Sequence, residues 1–587
     1  MSKIVQVLEL RQKRCGRRWG VAPCLAEGEP KCFQTFHTCG FRNAYNLNGE
    51  LRWFFHRPGD AVPYTADRPS ANEWYGPSIP ILQTVKTEPS RINLGAVREG
   101  ESPFGLRGTI SVTLDDFQFR NQFGDFYAGE RSVRGSLGAL LLAWLGEAIP
   151  QMEMYLHTGF AGQTLAEMTT RRYDVINLDP PSNGTWTIKG YDPLHRAQRR
   201  KAQFPRATDI RLVGDIGPNE EDITLFGDEA DIDEDFGIGT GDRRFIRIGS
   251  EILSYTGYSG SAGEWTLSGV QRGVLNTSAD SHNDNEGCQR VGHFNRVRYW
   301  RLVYYLLTDH AGIDPDLIPF ETVWRDEGRT YRSTFFATGT YVEPQPVEDI
   351  CGEAMRDGLF SIWWDERAQQ IPIIALRQPA EQPIPLNERS NIISTKIRRE
   401  PDSRMTRVAI YYGLFDPTEP IDKASNYREI RVRVDGEAES EKYADATIRA
   451  NTIYSRLART DLNTILVGSV LLQRYRETPT YIEVELPGKD SEIKIGDVVA
   501  ITSDQHVDTL GNPLTKFWQV IEWQEMEPGF RYRILCQSFT LFGRAAFIME
   551  NDSPIFSEAT DDEKINACYI SQDDGTMPDG SPAYIIQ

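Results

Sequence analysis

Four of the eight cysteines lie within 25 residues near the N-terminus, and this clustering limits the fold of the chain more than any other feature. They are Cys15, Cys24, Cys32 and Cys39, with the spacing C-x8-C-x7-C-x6-C. Loops of this length can fold back and bring the four sulfurs around one metal site. Chance clustering of half the cysteines in so short a segment is improbable. The sequence therefore predicts one metal site formed by these four residues.

The spacing favours an iron–sulfur cluster over zinc. Zinc ligands usually occur as C-x2-4-C pairs, because a tight turn presents two sulfurs to one tetrahedral ion, and no such pair is present. Evenly spread cysteines suit a cubane, 4Fe-4S, with one iron at each corner. Zinc, two disulfides or four idle thiols stay open as alternatives, and His37 is either a substitute ligand or a solvated loop residue. We expect nearby basic residues to offset the charge of the site: Arg11, Lys13, Arg14, Arg17, Arg18 and Lys31.

Charge and hydropathy exclude several classes of protein. The N-terminus has no apolar signal region, and no apolar run reaches the roughly 18 residues that cross a bilayer, so we expect folding in a cytoplasm, where disulfides are rare. Residues 1–57 carry ten Lys/Arg and four Asp/Glu, a net charge of +6; subtracting this from the chain total of −20 leaves −26 for the rest. So acidic a body argues against tight nucleic-acid binding and allows nucleic acid to slide past.

The pattern along the chain predicts an α+β, β-dominated multidomain protein. Alternating runs predict strands at 110–114, 186–189 and 245–258, and four more strands between 478 and 548. Helical spacing of apolar residues predicts helices at 296–312 and 346–360, a short helix at 137–145, and two helices within 437–476.

Composition shifts divide the chain into seven segments. We expect a Cys-rich, loop-like iron–sulfur segment (1–57), a Pro-rich linker (58–80), a β-rich domain of sandwich or barrel type (81–205), an inserted small β domain (206–292), an α/β domain (293–476), a small OB-like β-barrel (477–548) and an extended C-terminal tail (549–587).

Few other patterns point to chemistry. The chain lacks HExxH, Walker A and GxSxG motifs, and its histidines are scattered, so we predict that it is not an enzyme. The run 215–235 holds ten Asp/Glu and no Lys/Arg. Asp231, Asp233, Asp235 and Asp242 have calcium-loop spacing, but Phe236 stands where the turn glycine belongs. A solvated acidic loop fits better, and calcium binding stays undecided.

Two sequence segments resemble proteins of long-tailed (siphovirus-like) bacteriophages. Residues 15–46 resemble an N-terminal segment of tail proteins, through Trp19-Gly20, Lys31-Cys32-Phe33 and Thr38-Cys39, although Gln34 replaces the usual Asn. Residues 246–282 are similar to a tail-protein module with the pattern IGxExIxYTG…LxGVxRGxxxTxAxxH. Its matching positions include Glu251, Tyr255, Arg272, Gly273 and His282. The C-terminal β unit resembles the barrel domain of hub proteins at the level of fold alone.

The resemblance implies a structural baseplate hub at the virion tail tip, assembled in the host bacterial cytoplasm. Such a hub forms a homotrimer that closes the tail tube. It contacts the distal tail and tape-measure proteins, carries the central fibre or tip protein, and lets phage DNA pass without sequence-specific binding. Related tail-tip proteins carry iron–sulfur clusters. Another tail-tip ring protein, or a tail-associated cell-wall hydrolase, is the alternative.

Overall fold

The computed structural model describes most of the 587-residue chain. The described residues are 3–17, 20–26, 32–60, 74–75, 78–96, 101–118, 135–233, 237–377, 383–440, 447–507, 509–527, 529–538, 557–558 and 560. The predicted linker (58–80) and tail (549–587) lie largely outside these residues. None of the described helices is long and apolar enough to cross a membrane.

An eight-stranded sheet occupies the N-terminal third of the chain, in the order β3-β2-β1-β6-β7-β8-β5-β4. Its elements are β1 (Ile4–Arg14), β2 (Gly49–His56), β3 (Trp74–Tyr75), β4 (Leu82–Glu88), β5 (Thr109–Asp115), α1 (Leu137–Leu145), β6 (Met152–Phe160), β7 (Thr169–Leu178) and β8 (Thr185–Tyr191). β5 alternates between buried and half-buried side chains, as a sheet with one covered face requires. Leu137 and Leu141 of α1 pack into the core on that face.

The first 57 residues differ from the loop-like segment that the sequence predicts. β1 pairs with β2 on one side and with β6 on the other, so it lies inside the sheet. Its run Val7–Leu10 is buried because both faces are covered. Among the described residues, the loop-like part is the connection between β1 and β2, at 15–17, 20–26 and 32–48.

A second sheet forms a small β unit with its own core. After the short β9 (Gln203–Phe204), its elements are β10 (Ile210–Val213), β11 (Thr224–Phe226), α2 (Glu229–Asp233), β12 (Gly237–Ile238), β13 (Arg244–Ile248), β14 (Glu251–Tyr255), β15 (Gly257–Ser261), β16 (Glu264–Ser268) and β17 (Gly287–Arg298). The main strand order is β14-β13-β17-β10-β11-β16-β15. The C-terminal half of β17 pairs with a strand of the next region (residues 336–341), which ties this unit to the helical region.

The helical region contains the largest core cluster. Its elements are α3 (Tyr299–Tyr305), extended by a π-turn (Leu306–His310), a second π-turn (Phe320–Trp324), α4 (Arg325–Tyr331), β18 (Phe336–Tyr341), β19 (Gln345–Pro346), α5 (Val347–Gly358), β20 (Phe360–Ile362) and β21 (Ile373–Ala375). The helices predicted at 137–145 and 346–360 are confirmed. The helix predicted at 296–312 is confirmed from Tyr299 to His310, because residues 296–298 end β17.

Two further sheets follow. Their elements are β22 (Ile384–Asn387), β23 (Ser394–Arg399), β24 (Arg407–Leu414), β25 (Tyr427–Val434), β26 (Ala450–Tyr454), α6 (Asp461–Tyr475), β27 (Thr480–Pro487), β28 (Val498–Val507), β29 (Pro513–Glu527) and β30 (Arg531–Ser538). β24–β26 form a three-stranded sheet under α6, so the earlier of the two helices predicted within 437–476 is wrong where residues 450–454 form β26. The six-stranded sheet β22-β28-β29-β30-β27-β23 contains all four strands predicted after residue 478.

Short 3-10 turns join many of these elements, at Arg42–Ala44, Leu94–Ala96, Gly146–Gln151, Leu165–Glu167, Pro193–Gln198, Pro315–Leu317, Pro401–Ser403, Ala424–Asn426 and Gly488–Asp490. The predicted fold class, α+β with β-strands dominant and several separate sheets, is confirmed.

Candidate metal centre

The four clustered cysteines lie in the long connection between the neighbouring antiparallel strands β1 and β2, which we call the Cys loop (residues 15–48). The pairing of Arg14 with Gly49 closes its base. Glycine is favoured at position 49, because a Cβ there would lie 2.8 Å from the backbone Cα of Gly16. Loops of this length within a folded domain are uncommon and usually serve a function.

Cysteines make up much of the interior of the Cys loop. Among its described residues only Cys15, Cys24, Thr35 and Ala44 are buried, while Cys32 and Cys39 are half-buried. The part of the loop that the structure describes has one 3-10 turn and few buried apolar side chains. Its stability must therefore come from contacts other than its own hydrophobic packing.

The structure brings the four thiols close enough to interact electrostatically. Burial raises the pKa of the Cys32 thiol above its ordinary value, and the thiols of Cys39, Cys24 and Cys15 raise it further, while a hydrogen bond with the backbone of Gln34 opposes them. Cys15, Cys24 and Cys39 are free thiols, so the two-disulfide alternative does not describe this structure.

The four cysteines have the donor number of a zinc ion or of an iron–sulfur cluster. Zinc binds thiolate sulfur at about 2.3 Å, so four ligands must converge closely on one point. Within the residues that the structure describes, no three His, Cys, Asp or Glu side chains form such a group. A four-iron cluster takes one cysteine at each corner, so four cysteines match its donor number and chemistry.

Backbone amides already point at the sulfurs. The N–H of Asn46 donates to Sγ of Cys15 at 3.5 Å. The N–H of Cys15 in turn donates to the carbonyl oxygen of Gln34 at 2.7 Å, which joins the two halves of the loop. Hydrogen bonds to ligand sulfurs stabilise their charged form and orient them.

An aromatic contact docks the Cys loop on α1. The ring of Phe33 stacks on Trp144, with centroids 4.6 Å apart and planes 16° apart. The hydroxyl of Thr35 donates to the carbonyl oxygen of Trp144. Sequence analysis missed this contact, because α1 lies more than a hundred residues away and the pairing has no local signal.

Two expectations about neighbouring residues are corrected. Arg11 does not serve the cysteines: its Nε donates to Glu9 Oε1 at 2.7 Å, and its guanidinium lies 3.8 Å from the centroid of Tyr155. His37 is exposed, and its ring lies against Gly146 beside α1. This position suits the solvated loop residue better than the substitute ligand.

The motif at 246–282 forms a buried polar network in the small β unit. At its centre is Glu251, whose side chain is fully buried. Its carboxylate accepts from Nε and Nη2 of Arg272, both at 2.7 Å, and lies 3.0 Å from Nε2 of His282. The N–H groups of Gly273 and Asp280 donate to it at 2.9 and 3.0 Å. Burial alone would raise the pKa of Glu251, but these hydrogen bonds hold it below its ordinary value. The motif therefore fixes the shape of the unit.

The acidic run 215–235 forms parts of β11 and α2. Asp231 and Asp233 lie on α2, where Arg244 pairs with Asp233 at 2.9 Å. Asp235 lies outside the described residues. Within the described part of the run no group of side chains has the geometry of a metal-ion site.

No family model matches the chain, and no curated protein matches it. Solved structures do. A 43 kDa tail protein of prophage MuSo2 from Shewanella oneidensis is similar over 78% of this chain and 97% of that one, with 10% identity and a TM-score of 0.34. A prophage tail protein from Listeria monocytogenes is similar over 77% and 87%, with 11% identity and a TM-score of 0.28. A tail protein from Neisseria meningitidis is similar over 57% and 94%, with 10% identity and a TM-score of 0.27.

Proposed function

We propose that this chain is a structural protein of a bacteriophage tail, and within the tail a trimeric hub at the tip. The observation that carries the proposal is the motif at 246–282. Its sequence resembles a tail-protein module, and its charged positions, Glu251, Arg272 and His282, form one buried network in the structure. A motif used in this way favours a structural module over an enzyme site.

In this proposal the hub closes the tail tube and joins the distal tail and tape-measure proteins to the central tip or fibre. The acidic body favours passage of DNA without adhesion, since like charges repel.

Electron microscopy of assembled particles tests this position. A threefold ring of this chain at the end of the tail tube would support the hub. A sixfold ring would assign the chain to an adjacent tail-tip layer, and its absence from the tail would refute the proposal. A zymogram that clears cell-wall material would instead favour the hydrolase.

We further infer that Cys15, Cys24, Cys32 and Cys39 hold a 4Fe-4S cluster, with zinc as the alternative. The cluster links four points of the Cys loop, which supplies little core of its own. The four cysteines would supply the sulfur ligands. The N–H of Asn46 donates to Cys15, and the Phe33–Trp144 stack holds the loop against α1. Its role here is to staple the loop.

Matched alanine substitutions test the staple. Cys24→Ala removes a buried cysteine of the loop, and Cys288→Ala removes an equally small, buried thiol in the small β unit. We expect Cys24→Ala to block incorporation into particles and Cys288→Ala to permit it. Normal infectious particles with Cys24→Ala would contradict the structural role.

A further inference from the structure

β25 (Tyr427–Val434) is an open edge strand. It ends the three-stranded sheet β25-β24-β26, and no described strand pairs with its outer side. Its side chains Ile430, Val432 and Val434 keep 47%, 45% and 47% of their surface accessible. Proteins usually keep such an edge short or shield it with proline or a covering loop, because its unpaired N–H and C=O groups recruit another strand. An eight-residue edge with alternating exposed apolar side chains therefore indicates a surface that pairs with a strand.

Helix α6 lies over the same edge and is also exposed there. It packs on both β24 and β25, and its Asp461 pairs with Arg431 of β25 at 2.7 Å. One side of α6 is buried in the core of the helical region. On the free side, Leu462 and Leu466 keep 47% and 39% of their surface accessible. The open edge is therefore two layers deep, with exposed apolar side chains in both layers.

The charges of β25 are complementary to those of a second copy of the same strand. Antiparallel pairing centred on Arg431 places Glu429 of each copy opposite Arg433 of the other. Glu429 is exposed, and among the described residues Arg433 forms no ion pair and its Nε has no hydrogen-bond partner. The two central Arg431 side chains each keep Asp461 as a counter-ion. Opposite charges placed directly across an antiparallel pair stabilise it, so this register gives two new ion pairs.

The same register also brings apolar side chains together. Ile430 of each copy lies opposite Val432 of the other, so cross-strand contacts cover part of their exposed surface. Strands in a sheet lie about 4.8 Å apart, and α6 spans β24 and β25, so the two α6 helices would lie about 10 Å apart. Packed helices are separated by about 8–10 Å, which allows Leu462 of the two copies to pack together.

We propose that two copies of this chain join through β25 into one continuous sheet, with their α6 helices side by side. The contact is isologous, because both copies use the same surface, and it closes with two copies. The inference goes beyond the proposed function and does not depend on it. A threefold ring would use other surfaces, and the two contacts together would give six copies.

Sedimentation velocity of the full chain, over a range of concentrations, tests the proposal by charge reversal. Glu429→Arg and Arg433→Glu each place like charges opposite each other at both ends of the contact, so we expect either variant to weaken pairing at least about tenfold. Glu429→Arg/Arg433→Glu exchanges the charges and should restore pairing. Lys86→Glu reverses an exposed charge on another edge strand, β4, and should pair as the parent protein does.

Mixing the two single variants tests the register of the contact. A Glu429→Arg copy carries positive charge at both positions and an Arg433→Glu copy negative charge at both, so a mixed pair has an ion pair at each end. We expect the equimolar mixture to pair as the parent does. A mixture that associates no better than its components, or a parent chain that is monomeric at its highest soluble concentration, would overturn the proposal. Parent association that both single variants leave unchanged would place the contact on another surface and overturn it as well.

Discussion

Arg171 joins three parts of the molecule, and its removal gives the most demanding test of the packing described above. Arg171 lies on β7, and its Nε is 3.3 Å from Oε2 of Glu366, a residue that follows β20. Its Nη2 donates to Glu525 of β29. Tyr173 of β7 donates its hydroxyl to Glu366 at 3.3 Å. One guanidinium therefore links the eight-stranded sheet, the helical region and the C-terminal sheet.

The cost of Arg171→Ala follows from burial. The side chains of Arg171, Glu366 and Glu525 keep only 6%, 14% and 6% of their surface accessible. Burial raises the pKa of Glu366, and Arg171 opposes that rise. Deleting one member of a buried ion pair costs about 3–5 kcal/mol, because the other charge stays buried and uncompensated. Two carboxylates lose their partner here, so we expect the upper part of that range.

Urea unfolding followed by tryptophan fluorescence measures this loss, because the ring centroid of Trp523 lies 5.6 Å from the guanidinium carbon of Arg171. The slope of unfolding free energy against urea rises with chain size, so a loss of about 4 kcal/mol lowers the midpoint of the transition by less than the roughly 1–2 M expected for a small domain. The triple variant Arg171→Met/Glu366→Gln/Glu525→Gln removes all three charges. We expect it to be more stable than Arg171→Ala alone. An Arg171→Ala variant that unfolds at the same urea concentration as the parent protein would refute the reasoning.

Two other buried carboxylates give further predictions. Burial would raise the pKa of Glu9, but hydrogen bonds from His157 and Arg11 lower it from 4.5 to about 2. Its contribution to stability, on the order of 3 kcal/mol, is therefore present above pH 4.5 and lost as the pH falls toward 2. Glu9→Gln should make the free energy of unfolding less dependent on pH over that range. A pH dependence equal to that of the parent protein would contradict this role of Glu9. Glu251→Gln leaves the buried Arg272 without its anionic partner and should cost about 3–5 kcal/mol. Hydrogen exchange in residues 210–298 should then rise while the eight-stranded sheet keeps its protection; uniform protection would contradict the network's role.

Local patterns predicted much of the fold. The spacing of Leu302, Val303 and Leu306 identified α3, because a helix that packs one face on a core repeats its apolar residues every three or four positions. Alternation likewise identified β27 to β30. In contrast, β1 reads as a basic loop segment, since Arg and Lys alternate with buried residues near its end and its partner β6 lies far along the chain. β26 was missed for a similar reason: its exposed positions and its pairing with β24 depend on tertiary contacts.

The sequence identified the four candidate cysteines but not the contacts that surround them. Four cysteines in one short segment can be recognised as a candidate metal site from sequence alone, because this signal does not depend on distant contacts. The Phe33–Trp144 stack, the Asn46 donor and the use of Arg11 by Glu9 all depend on which strands become neighbours. The exposure of Val21, Leu25, Phe36 and Leu47 could not be predicted either, since apolar residues in a sequence are first expected in the core.

The most direct test of the central proposal is a metal analysis of the anaerobically purified chain. We predict about four iron atoms and about four acid-labile sulfides per chain, with a broad visible charge-transfer absorbance that Cys24→Ala abolishes and Cys288→Ala retains. Zinc alone, or a chain without metal and sulfide, would contradict the account.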